Sequence, residues 1–174
     1  MSALVHHALE AAGLLRVLEL RDQARFSDLV AIRDEVEKAD WILLGALADT
    51  IRLREVGDRV RVAAASKKSA HESDERGLAF LREVSLARIF SERSATIAVD
   101  LERVGIELAE VALSFGANEL CGAMRNKRGL AIAEEELGGV GKRSKRLLLA
   151  SVKKRELADV LAASGKVAEF VEAS

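Results

Sequence analysis

The sequence contains no proline and no tyrosine, and only one cysteine and one tryptophan among its 174 residues. A chain of this length ordinarily carries roughly nine prolines, so their absence favours long helices punctuated by glycine over proline-rich turns. A single cysteine excludes an internal disulfide and any cysteine-rich zinc or iron–sulfur site within one chain. With aromatic residues at 3%, the stacking platforms used to hold single-stranded bases are not available. Charge of either sign is not in excess: 27 basic against 28 acidic residues leave a formal net charge of −1, which gives no overall pull toward nucleic acid or an anionic membrane. No apolar run approaches the roughly 20 residues of a membrane span. The opening "MSALVHHALEAAGLL" lacks a basic leader followed by a sustained apolar stretch, so it reads as a helix and not as a signal peptide. The default location is the cytoplasm.

Hydrophobic residues make up 49% and charged residues 32%, which suits one soluble domain over 1–174 with a real core. Within it, residues 1–65 are expected to form helices and a first strand, 66–77 a polar linker, and 78–174 a second half. Leu4, Val5, Ala8, Leu9, Ala12 and Leu15 recur at helical steps and predict one helix over 3–20. Ser27 is a candidate cap for a second, with Leu29, Val30 and Val36 inward. Leu43, Leu44, Leu47 and Ile51 define a third, which Gly57 can end. Arg59, Val60, Arg61 and Val62 then alternate, as a strand with one wet face does.

A helical pattern resumes through Phe80, Leu81, Val84 and Ala87. "ATIAV" (95–99) reads as a strand, and Asp100 can cap the helix that follows it. Leu101, Val104, Leu108, Val111 and Phe115 mark that helix, Gly116 stops it, and "ANELCGAM" opens a second strand. Strand, crossover helix and strand make a βαβ unit with parallel strands. A last helix over about 147–163 carries Leu148, Val152, Leu157, Val160 and Leu161, with Gly165 as its stop. The expected fold is therefore α/β and mainly helical, with a few parallel strands.

Two stretches resemble a known family. "FLREVSLAR" (80–88) and "LSFGANELCGAM" (113–124) are similar to the C-terminal barrel segment of the radical S-adenosylmethionine enzymes of menaquinone and deazaflavin biosynthesis: aminofutalosine synthase, dehypoxanthine futalosine cyclase and FO synthase. "ADWILLGALADTIRLREVGDRVRV" (39–62) resembles the family's N-terminal helix and first barrel strand. "ELADVLAASGKVAEF" (156–170) resembles its C-terminal stretch, with Val167 and Ala168 where a proline is usual. The resemblance implies a partial (β/α) barrel remnant. It also marks what is missing. The family's enzymes are longer and carry C-x-x-x-C-x-x-C after the first strand, where this chain reads "VAAASKKSAHESDERG". Three thiolates hold three irons of a [4Fe–4S] cluster whose fourth iron binds S-adenosylmethionine, and one cysteine cannot supply them. No iron–sulfur cluster is expected in the monomer, and neither S-adenosylmethionine nor another cofactor.

The remaining constellations favour plain readings. Cys121 beside Leu120 reads as a small buried hydrophobe. His6, His7 and His71 form no ligand spacing, so no metal site is expected. "ELGGVGKRS" (136–144) fails the phosphate-loop pattern, because Glu136 and Arg143 stand where glycine and a hydroxyl residue are needed. The late basic residues, Arg125, Lys127, Arg128, Lys142, Arg143, Lys145, Arg146 and Lys153 to Arg155, lack interleaved aromatics and read as a solvated face. Asp100, Asn118 and Glu119 are the candidate ligand-binding residues, because sites of barrel proteins collect at strand ends; catalytic residues are not identified.

The leading expectation is a non-catalytic radical-SAM-like protein acting as a binding or assembly module, linked to menaquinone-type (futalosine) metabolism. Its partner would be a second copy, giving a homo-oligomer, or a full-length paralogous enzyme. The alternative is a small-molecule-binding enzyme of another class with a pocket near 117–121. A decayed remnant without a selected role is the third reading.

Overall fold

The computed structural model describes residues 2–63, 77–122, 124–125 and 152–171. In chain order these form α1 (Ala3–Ala11), α2 (Leu15–Asp22), α3 (Phe26–Ala31), α4 (Arg33–Glu37), α5 (Trp41–Val56), β1 (Arg59–Ala63), α6 (Leu78–Phe90), β2 (Ala98–Asp100), α7 (Leu101–Val104), α8 (Ile106–Leu113), β3 (Glu119–Cys121), β4 (Met124–Arg125), β5 (Val152–Lys153), α9 (Lys154–Ala163) and β6 (Val167–Val171). The class is mixed α/β with helices predominating. Residues 66–76 of the linker expected over 66–77, the glycine-rich stretch at 136–144, His71, Leu148 and the basic residues from Lys127 to Arg146 lie outside the described residues. No helix among the described residues is long and apolar enough to cross a membrane.

The chain divides into two compact units, each assembled from separate segments. The first takes Met1–Gly57, Ser73–Ile97 and Val111–Ala117; the second takes Asp58–Glu72, Ala98–Glu110 and Asn118–Ser174.

The first unit is helical. Its core joins Leu9, Leu14, Val17, Leu18, Leu29 and Val36 to Leu44, Leu47, Ala48 and Ile51 of α5 and to Ile89 of α6. The single N-terminal helix expected over 3–20 is instead two. Gly13 takes a φ of 70° and turns the chain between α1 and α2, so glycine's access to that region overrides a continuous apolar stripe. Ser2 caps α1, accepting from the Val5 N–H at 3.3 Å. Ser27 lies inside α3 and does not cap it, because α3 opens one residue earlier at Phe26. Leu29 and Val36 are buried as expected, whereas Val30 is exposed. In α5 the expected face is observed: Leu44, Leu47 and Ile51 are buried, Asp40 caps the helix through the Ile42 N–H, and Gly57 ends it at φ 70°.

The second unit is built on a four-stranded sheet in the order β2-β3-β1-β6, with every neighbouring pair parallel. A separate parallel pair joins β4 to β5. The alternation read in β1 holds, with Val60 and Val62 buried and Arg59 and Arg61 exposed. The first strand of the βαβ unit is shifted to Ala98–Asp100, so only Ala98 and Val99 of "ATIAV" belong to it. The helix expected through Phe115 breaks at Gly105, whose φ is 81°, into α7 and α8. That break rotates the register. Ala109, Ala112 and Leu113 are fully buried, and Val111, expected inward, is exposed. The last helix begins later than expected, at Lys154, because Val152 and Lys153 form β5. Leu157 and Leu161 are its buried face, and Gly165 stops it at φ 72°. The strand β6 after it was not read from periodicity; it pairs with β1 over five residues from Arg59↔Val167 to Ala63↔Val171.

Candidate functional site

Side chains alternate across strands, and residues in register on parallel strands share a face. The register pairs Arg61 with both Glu119 and Glu169, and Glu119 with Ala98. One face of the sheet therefore carries Arg59, Arg61, Glu119, Glu169, Cys121 and Asp100. The opposite face carries Val60, Val62, Val99 and Leu120, all buried. On that apolar side α9 packs against β6, and the Lys154 ammonium sits 5.2 Å from the centre of the Phe170 ring.

The charged face is open over β1 and β6 and closed over β2 and β3. Arg59, Arg61, Val167 and Glu169 are exposed, while Ala98, Glu119 and Cys121 are buried. Arg61 Nε lies 3.5 Å from Glu119 Oε2, which gives the buried carboxylate its cation.

The sheet does not gather the three candidate residues into one pocket. Asn118 precedes β3 and Glu119 opens it, so both lie at the amino end of the strand. Asn118 is buried, and its carbonyl accepts from the Arg61 N–H at 3.0 Å. Asp100 is at the carboxyl end of β2, in register with Cys121. Two residues of parallel strand separate its level from that of Glu119, about 6.6 Å along the strand direction. Sites in parallel sheets lie outside the carboxyl ends of the strands, which places Asp100 and Cys121, but not Glu119, at that end.

Each of the carboxyl-end groups is engaged by a nearby main-chain group. Asp100 Oδ1 accepts from the Glu102 N–H at 2.9 Å and caps α7. The Cys121 thiol donates to the Val99 carbonyl at 3.4 Å and is buried. Gly122 lies against this cap: at its φ of 133°, an added Cβ would sit 3.4 Å from Asp100 Oδ1. The capping role sets the expected effect of Asp100→Ala, a loss of about 1 kcal/mol in a urea melt. A much larger loss would mean that the carboxylate holds more than the helix end.

The donor set does not fit a [4Fe–4S] cluster. Its only thiol is Cys121, which lies within β3 and is spent on a main-chain carbonyl. Among the described residues no three histidine, cysteine, aspartate or glutamate side chains are grouped to hold a metal ion.

The most developed polar cluster among the described residues lies elsewhere, in the helical unit, and sequence reasoning did not find it. Arg21 bonds Glu55 Oε1 through Nε at 3.0 Å and Nη2 at 2.7 Å, and reaches the carbonyls of Ile89 and Ser91 at 2.7 and 2.8 Å. Arg52 holds Asp49 and the Gly57 carbonyl. Arg88, fully buried, donates to the carbonyls of Gly116 at 2.8 Å and Ala95 at 2.9 Å. Burial pushes the Arg88 guanidinium down to about 10; Glu55 opposes that shift, and Arg21 and Arg52 add to it. The group is charged at neutral pH all the same. These arginines tie helix ends and turns to one another through main-chain carbonyls. A detectable signal did exist: Arg21, Arg52 and Arg88 each follow a buried apolar residue, Val17, Ala48 and Val84, by four positions on the same helix face.

Compared with models of known protein families, with curated proteins and with solved structures, the chain matches none.

Proposed function

We propose that the chain is a non-catalytic binding or assembly module built on a remnant of a (β/α) barrel. The observation that carries this reading is that the candidate residues are already engaged in holding the fold: Asp100 to the Glu102 N–H, Glu119 to Arg61, and the Asn118 carbonyl to the Arg61 N–H. The sheet is all parallel, as in a barrel, but β1 lies between β3 and β6 and does not pair with β2, so the barrel ancestry rests on the sequence resemblance. Assembly is supported by the sheet's open half over β1 and β6 and by the outer strand β6, which is paired on one side only among the described residues. Parallel sheets are nearly always covered on both faces, and folded proteins usually protect exposed strand edges. A place beside the enzymes of menaquinone-type metabolism rests on the sequence resemblance alone.

The test is anaerobic iron–sulfur reconstitution, followed by iron analysis, absorbance and assay of S-adenosylmethionine cleavage. No stoichiometric cluster and no cleavage are expected. One cluster per monomer together with cleavage to a deoxyadenosyl product would overturn the reading.

A further inference from the structure

We infer that the free edge of β6 takes up an extended peptide segment as a further strand, and that it selects a segment with lysine or arginine opposite Glu169 between two aliphatic residues. The inference rests on the binding-module reading above and names what the module binds.

The main chain of the edge supplies the first half of the site. Among the described residues β6 pairs with β1 alone. The Val167 N–H donates to the Asp58 carbonyl at 3.0 Å, on the β1 side. Successive residues of a strand direct their main-chain groups to opposite sides. Ala168 and Phe170 therefore hold their N–H and carbonyl groups toward the free edge. Such a row is a template for an added strand, which main-chain bonds hold and alternate side chains select.

Charge supplies the second half. One row across the sheet reads Glu119, Arg61, Glu169, on β3, β1 and β6. The signs alternate, and the row ends on a carboxylate at the open edge. Arg61 is drawn to the other side, with its Nε 3.5 Å from Oε2 of the buried Glu119. Glu169 is exposed and has no ion pair among the described residues. The whole face sets Arg59 and Arg61 against Glu119, Glu169 and Asp100, which leaves it one positive charge short. Opposite charges on neighbouring strands attract and like charges repel, so a cation on the next strand outward continues the row. Val167 and Val171 flank Glu169 on the same face, and Val167 is 60% exposed. Aliphatic residues on the added strand would cover them. The other face of β6 is already taken by α9, so selection falls to the face of Glu169.

A second copy of the chain fits the edge less well. Full antiparallel pairing of two β6 strands, Val167 against Val171, would set the two Glu169 carboxylates directly opposite each other.

The probe is the blocked, fluorescein-labelled peptide Ser-Thr-Val-Thr-Lys-Thr-Val-Thr-Ser, whose palindromic order serves either strand direction. Fluorescence anisotropy is expected to show saturable binding, about tenfold tighter than for the same peptide with glutamate at its centre. Added salt should narrow that preference. Glu169→Lys should reverse it. Ala168→Pro removes one edge donor and leaves the β1 ladder intact, and should weaken the lysine peptide about tenfold. Both variants should keep the native helical circular dichroism. No saturable binding up to about 1 mM peptide, or equal affinity for the two peptides, would overturn the inference and leave Glu169 as a guard against edge pairing. So would a native chain that light scattering finds dimeric and that Ala168→Pro makes monomeric, since the edge then belongs to a second copy. Should Ala168→Pro fail to fold, the charge reversal at Glu169 decides alone. Failure of the peptide leaves the non-catalytic reading to its own cluster experiment, so the two can fail separately.

Discussion

Glu55→Gln is expected to cost about 3–5 kcal/mol of folding stability, the range found when one partner of a buried ion pair is removed. The Glu55 side chain is 5% exposed and that of Arg21 is 2% exposed. One carboxylate oxygen takes two bonds from Arg21, and the other accepts from the Ser94 N–H at 3.0 Å. Glutamine can keep the bond from Ser94 but removes the anion that offsets Arg21 and Arg88 together. Arg21, Arg52 and Arg88 would then repel one another in a poorly solvated site, with Asp49 engaged by Arg52. Urea melts of the native chain and the variant measure the loss. Arg21→Met in the same background should recover part of it, because the double variant no longer buries an unpaired cation. A cycle showing less than about 0.5 kcal/mol of coupling would mean that the pair is not the keystone of this cluster.

Gly116→Ala is expected to be about as damaging, at roughly 3–5 kcal/mol, through two causes that add. The residue has a φ of 103°, where a side chain is strained. A Cβ there would also lie 2.7 Å from Arg88 Cβ and 3.0 Å from Ala48 Cβ. Both are stem atoms fixed to helices, so relief requires moving backbone, and overpacking of this kind costs about 1–3 kcal/mol on its own. Gly165→Ala is the control. Its φ is 72°, but nothing lies within 4 Å of its added Cβ, so only the conformational part, about 1 kcal/mol, should be lost. Equal losses at the two glycines would refute the packing argument.

The contrast between these glycines also explains how much of the fold was legible. Gly57, Gly116 and Gly165 were readable as helix stops because each follows the last residue of an apolar period. Gly13 and Gly105 interrupt such periods from within, where a glycine is compatible with either a tolerated helix interior or a break. Reading through Gly105 put Val111 inward in place of Ala112 and Leu113. The βαβ unit, the alternation of β1 and the Asp100 cap were legible because each is local. Strand β6 was not, since its pairing with β1 joins residues more than a hundred positions apart and "VAEFV" alternates too weakly to declare a face. At the candidate site, the residue types were readable but the strand boundary was not. A start of β3 at Glu119 is what moves Asn118 and Glu119 to the amino end. The arginine cluster was hidden by a general expectation that charged side chains face water.

The division of the chain has a consequence for how it can be cut and how it folds. Each unit is stitched from three stretches that alternate along the sequence, with crossings at 57–58, 97–98, 110–111 and 117–118 among the described residues. A fragment ending at Gly57 would keep Arg21 and Glu55 but lose Ile89 and Ser91, whose carbonyls Arg21 holds. No single cleavage therefore releases either unit whole. The native pairings are correspondingly remote in sequence, and such topologies fold slowly for their size, since long loops must close before the contacts that reward closure can form.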